Sequence, residues 1–184
     1  MRRRLAWWAV AAVLLAGCAA PGRQAGPPAP AADQTDVWFM QHMVPHLWQT
    51  TSIAFLTRDR ITHPALARLA DTITRRSQAD IDRLQQWLSQ RGLAPHGHSH
   101  QRVDARRRTD LERLSRLHGT AFDLAFLQVM TARDRAGIDM ARTEAAQGTV
   151  PEVRRLAGDL LSEQQARVRQ MAAWQRAWAR GGAT

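Results

Sequence analysis

The sequence predicts an all-α protein, an antiparallel four-helix bundle made of two repeated helical hairpins with a short extra helix in the connector. Three observations predict it. Residues 36–88 read again at 123–175 without a gap, shifted by 87 positions: Asp36, Phe39, Met43, Ala54, Pro64, Leu69, Ala70, Ala79 and Trp87 recur as Asp123, Phe126, Met130, Ala141, Pro151, Leu156, Ala157, Ala166 and Trp174. Apolar residues in both copies recur every three or four positions, the spacing of one helical face, and no alternating strand pattern competes. Prolines and glycines stand where such helices should start and stop.

Taken in order, Met1–Arg4 is a basic start and Leu5 to Ala16 an apolar stretch of 12 residues. It is too short to cross a bilayer, whose core needs about 20 helical residues, and residues 1–17 read as a signal peptide. Leu15-Ala16-Gly17-Cys18 resembles a bacterial lipobox, which makes Cys18 the expected lipidation site and the only cysteine. Two or more acyl chains give stable anchoring. A lone cysteine excludes an internal disulfide, a thiolate zinc site and a remaining cysteine nucleophile. Residues 18–35, rich in Pro, Ala and Gly with no large apolar side chain, read as a tether. Residues 36–180 form the bundle: repeat one 36–91, connector 92–119, repeat two 120–180.

In repeat one, Phe39, Met43, His46, Thr50 and Ile53 mark the first helix. Thr62-His63-Pro64 breaks the chain with proline at a first helical position, and Leu66, Leu69, Ile73, Ser77, Ile81, Leu84 and Leu88 continue the stripe to a C-capping Gly92. The connector carries a predicted short helix over 110–118. In repeat two, Phe126, Met130, Arg133, Gly137 and Met140 mark a helix ended by Gly148. Pro151 opens the last, bearing Val153, Leu156, Leu160, Gln164, Val168, Met171 and Trp174. Short loops force antiparallel neighbours.

The formal charge is +10, falling to +7 once Arg2, Arg3 and Arg4 leave with the signal, and the surplus is all arginine. An exported, anchored chain has no nucleic acid to meet. The arginines form either an ordinary solvated surface or a face for anionic lipid.

The stretch Phe39-Met-Gln-His-Met-Val-Pro-His46, with Phe122 to Met130, Ala136 to Ala141, Leu156-Ala157 and Gln164, resembles the bacterial family known as domain of unknown function 305. The resemblance implies a ferritin-like helical fold with a duplicated motif of Phe, Met, a His-His pair, then an acidic residue, Met and Ala. It also implies copper handling in the cell envelope for some members. Of the first His-His pair, His46 remains and Leu47 replaces its partner; Arg133 and Asp134 occupy both positions in the second copy. Asp80 fits the family's acidic position and Arg167 reverses its charge. A family metal centre therefore transfers only to His46, with Met43.

Several groupings are candidates for chemistry. His42 and His46 are four apart on one helical face, with Pro45 between them to kink the helix or mark its start. Pro95-His96-Gly97-His98-Ser99-His100 sets three imidazoles at alternate positions, able to close round Cu(II), Ni(II) or Zn(II). Histidines there, where family members often carry methionines, shift preference away from Cu(I). Arg133 shares the core register of His46 and must find a carboxylate, for which Asp80, Asp139 and Glu163 are the candidates. Such a structural polar layer would fix helix register. No His-Glu-x-x-His, Glu-x-x-His, Gly-x-Ser-x-Gly or phosphate-binding glycine loop occurs, so no enzyme is expected. Trp38, Trp48, Trp87, Trp174 and Trp178 have the spacing of helix-packing residues, which belong to a core or an interface.

Two functions follow. The first is a lipid-anchored, periplasm-facing protein, at the outer membrane where two membranes exist because Ala19 is not an aspartate. It would bind copper weakly through His96, His98 and His100 with His42, Met43 and His46. The second is a non-catalytic envelope module whose ancestral metal site is replaced by ion pairs and whose arginine and tryptophan faces meet anionic lipid or an envelope protein.

Overall fold

The computed structural model describes residues 31–95 and 100–181, with side chains for 31–95 and 105–180. The signal peptide, Cys18 and most of the tether lie outside the described residues. Five helices follow in order: α1 (Gln34–Thr57), α2 (Pro64–Gln90), α3 (His100–Ser115), α4 (Gly119–Gln147) and α5 (Pro151–Gly181). α1 with α2 and α4 with α5 are the two hairpins, and α3 lies against α1 and α4.

The punctuation works as chemistry requires. Asp33 caps α1 through a reciprocal capping box with Asp36. Pro64 opens α2 and Pro151 opens α5. Gly92, with φ of 64°, ends α2 in a left-handed turn where Leu93 N–H reaches the Leu88 carbonyl at 2.9 Å. Two expectations need correction. α1 continues through Pro45, so the proline sits inside the helix instead of starting it, at the cost of one backbone hydrogen bond. α3 begins ten residues before the predicted 110 and ends three short of 118, because its C-terminus is capped from outside. The Arg60 guanidinium donates to the carbonyls of Leu114, Ser115 and Leu117 at 3.1, 3.1 and 2.6 Å.

The two repeats are joined by a reciprocal pin. Asp36 of the first repeat accepts from Thr149 N–H, Thr149 Oγ1 and Val150 N–H, at the turn that opens α5. Asp123 of the second accepts from Thr62 N–H, Thr62 Oγ1, His63 N–H and His63 Nδ1, at the equivalent turn that opens α2. Each repeat's first helix therefore fixes the other repeat's second.

The core obeys the same symmetry. One apolar cluster holds Phe39, Ile81, Leu84, Ala141, Val153, Ala157 and Leu160; the other holds Phe126, Met171, Ala54, Leu66, Ala70 and Ile73. All six of the second are repeat mates of members of the first. Between the clusters every helix of the hairpins turns polar: Gln49 and Thr50 on α1, Ser77 on α2, Arg133 and Asp134 on α4, Gln164 on α5, all buried. The bundle has two equivalent dry halves and a polar waist.

One pin carries a titration. Glu144 is fully buried beside Asp36, and neither of its oxygens has a donor. Burial and the Asp36 carboxylate push its carboxyl up to about 8, so Glu144 is the protonated member of the pair at neutral pH. Burial alone would raise Asp36 as well, but the hydrogen bonds from Thr149, Val150, Asp33 and Glu144 hold it at about 2. A native pKa above the unfolded value means the folded state keeps a proton that the unfolded chain releases. Stability should therefore fall between pH 5 and 8, at no more than about 1.4 kcal/mol per pH unit for one proton. Glu144→Gln keeps the donor without the titration. In urea unfolding at several pH values, the variant should lack this loss; parallel curves for both proteins would remove the shared proton.

Candidate metal centre

The waist opens on a cavity of about 850 Å³ between α1, α3 and α4. Four lining residues of α1, His42, Pro45, His46 and Gln49, face their repeat mates on α4, Val129, Ala132, Arg133 and Ala136. The cavity thus straddles the pseudo-twofold relation, and the small alanines on α4 make room for it. On the far side, Arg76 forms an ion pair with its own repeat mate, Glu163. Across the waist, identical scaffold positions carry different chemistry.

His42 and His46 line the same cavity, as their spacing requires. The His42 ring stacks on Trp38 with centroids 4.3 Å apart, and Nδ1 lies 2.7 Å from the Trp38 carbonyl oxygen. A carbonyl only accepts, so Nδ1 carries a proton, and this hydrogen bond fixes the ring as second partners fix metal-binding histidines. Burial lowers His46, and Arg133 and Arg167 push the same way, to about 4, so its imidazole is neutral at pH 7. Met43 is fully buried in an apolar cluster and does not line the cavity. His96 and His98 lie outside the described residues, as does the side chain of His100. The backbone of His100 opens α3, and Ala105 and Arg106, the next turns of that helix, line the cavity. Among the described residues no three His, Cys, Asp or Glu side chains are grouped to hold a metal ion.

Arg133 is 6% exposed and ion-paired, but not to the carboxylates expected. Its partners are Asp110 of α3 at 2.8 Å and Gln49 at 3.1 Å. Asp139 points outward to Arg142, and Asp80 lies 3.8 Å from Arg83 on the α2 side. The helix crossing places α3, not α2, over position 133. A second pair was not foreseen. Arg167 binds Asp134 through two bonds of 2.7 and 3.0 Å. Burial raises the Asp134 carboxyl against the pull of Arg167. At the positions where the resemblance implies a histidine and an acid, this repeat carries Asp134 and Arg167, joined as an ion pair. In the first repeat Leu47 removes one partner, and burial leaves the Asp80 carboxyl raised.

Residues 36–175 match the family described as Domain of unknown function (DUF305). The chain belongs to that family. No curated protein is a significant match. Among solved structures, a putative secreted DUF305 protein from Streptomyces coelicolor is 24% identical, with a TM-score of 0.72, over 81% of this chain and 96% of that one. A DUF305 fragment from Deinococcus radiodurans is 22% identical, TM-score 0.69, over 80% and 99%. CopM in its Cu(II)-bound form is 25% identical, TM-score 0.66, over 78% and 98%, and is also known in Cu(I)- and Ag-bound forms. The first two show a shared helical fold. No described helix of this DUF305 chain is long and apolar enough to cross a membrane.

Proposed function

We propose that this DUF305 protein is an exported, lipid-anchored, non-catalytic copper-binding protein of the cell envelope. It holds Cu(II) at the mouth of the waist cavity through His42 and the connector histidines His96, His98 and His100, with His46 behind them. The observation that carries this reading is the oriented His42 imidazole in a cavity lined by the first turns of α3, the helix that the histidine run leads into. The copper-bound forms of CopM support it. Arg133 repels a cation at the His46 end, so the metal sits toward His42 and the affinity is modest. Imidazole nitrogens suit Cu(II) better than Cu(I).

The test uses the chain from residue 18 with Cys18→Ser, titrated with Cu(II), Cu(I), Zn(II) and Ni(II). One Cu(II) per chain should bind at micromolar or better affinity. Changing His96, His98 and His100 to alanine together should weaken it at least about tenfold, roughly 1.4 kcal/mol, and His42→Ala should weaken it as well. Indifference to every metal would favour the second reading, an envelope interaction module in which Arg133–Asp110 and Asp134–Arg167 hold the waist together instead of a metal.

A further inference from the structure

We propose that the outer face of α1 is a membrane-docking surface that lays the bundle on the bilayer to which Cys18 anchors it. The proposal rests on the lipid-anchor reading.

α1 is buried round most of its circumference, yet four of its largest apolar side chains face outward. Trp38 is 43% exposed, Trp48 46%, Phe55 53% and Leu56 60%. Trp38 and Leu56 are eighteen positions apart, five helical turns, and so share one azimuth about 27 Å apart along the axis. Trp48 and Phe55 lie within about 100° of them. Pro45 and Gln49 lie close to that azimuth and are buried on the cavity, so the apolar stripe is interrupted: Trp38 stands near one end, and Trp48, Phe55 and Leu56 form an apolar patch toward the other, of the kind that marks an interaction site. Its composition fits a lipid interface, where indole rings partition with their N–H toward the headgroups. The charge beside it is balanced: Arg58 lies over the Phe55 ring at 5.2 Å and bonds Asp59 at 3.3 Å. Insertion of the apolar stripe, not attraction to anionic lipid, is the driving term.

Where the anchor joins the bundle makes the bilayer the fitting occupant. Asp33 caps α1, so the chain from Cys18 enters this same helix after fifteen residues, at most about 50 Å when fully extended. A tether that short holds the stripe at a high effective concentration over the membrane, so even weak partitioning of the free domain becomes stable contact. The Trp38 ring that would seat in the interface also stacks on His42. Docking therefore brings the metal-binding edge of the cavity to the membrane surface.

The experiment uses the same unlipidated chain, Cys18→Ser, with vesicles of phosphatidylethanolamine and phosphatidylglycerol in a flotation assay. The chain should float with the vesicles, and 0.5 M NaCl should leave most of the binding intact. Serine at positions 38, 48, 55 and 56 together should reduce partitioning at least about tenfold, while Arg176→Ser on α5 should not. Circular dichroism checks each fold, and the pair Trp48→Asp and Leu56→Asp replaces the fourfold variant if that one unfolds. A chain that never floats, or a variant that floats as well as its parent, overturns the proposal. So does a chain that ignores vesicles but dimerises in sedimentation equilibrium through the same four residues. Acyl incorporation at Cys18 in cells is measured separately, so failure of the anchor and failure of the docking face are distinguishable.

Discussion

Asp123→Ala should cost this bundle about 3 kcal/mol or more, because it strands four donors at a buried turn: Thr62 N–H and Oγ1, and His63 N–H and Nδ1. The carboxylate is wholly buried and held below its ordinary value; burial opposes this, but the hydrogen bonds of Thr62 and His63 outweigh it. Asp36→Ala should cost a similar amount at the opposite turn, where Thr149 and Val150 lose their acceptor. Both carboxylates are depressed, so both contribute stability above pH 4 and lose it as pH falls, Asp36 down to about 2. Urea unfolding at pH 6 reads the effect. If either variant loses less than about 1 kcal/mol, the turns hold without their pins, and the two repeats are joined by apolar contacts alone.

The second large effect lies in the waist. Gly137 has no left-handed conformation to justify it; it is glycine because of crowding. A Cβ there would collide with the Gln164 amide oxygen and stand 2.9 Å from His46 Nε2. In the other repeat the equivalent positions are Thr50 and Ser77, a larger residue on the first helix against a smaller one on the second. Gly137→Thr alone should therefore destabilise by about 2–3 kcal/mol through overpacking. Adding Gln164→Ser, which copies the first repeat's pair, should recover more than half. A double variant no better than the single would mean that the two sites are not coupled and that the repeats do not share a waist geometry.

Much of this was legible in the residues, and the reason is periodicity. Helix identity, hairpin pairing and the duplicated core follow from stripes such as Phe39, Met43 and Ile53 and their mates 87 positions on, because a helical face cannot be buried any other way. The pins were also within reach, since Asp36 and Asp123, Thr62 and Thr149, and Pro64 and Pro151 all recur at the same offset. What spacing does not encode is which helix crosses over which. Arg133 demanded a carboxylate, but its partner Asp110 belongs to the connector helix, outside the repeat that the periodicity describes. For the same reason spacing does not give the extent of α3: its end is set by the Arg60 guanidinium, a long-range cap with no local signature. The Arg167–Asp134 pair joins residues 33 positions apart on two helices, and neither residue carries a local signal of the other. Trp38 and Trp48 have the spacing of helix-packing residues, which fits a core or an interface, and are half-exposed, because spacing does not distinguish a buried face from an exposed one.

The central claim is that histidines from α1 and from the connector meet at one copper site on the cavity of the waist. A crystal of the Cys18→Ser chain soaked in Cu(II), measured at the copper absorption edge, tests it directly. The expected result is a single strong anomalous peak at bonding distance from His42 Nε2 and from at least one of His96, His98 and His100. A cavity without a peak, or copper held only by side chains remote from His42, would contradict it.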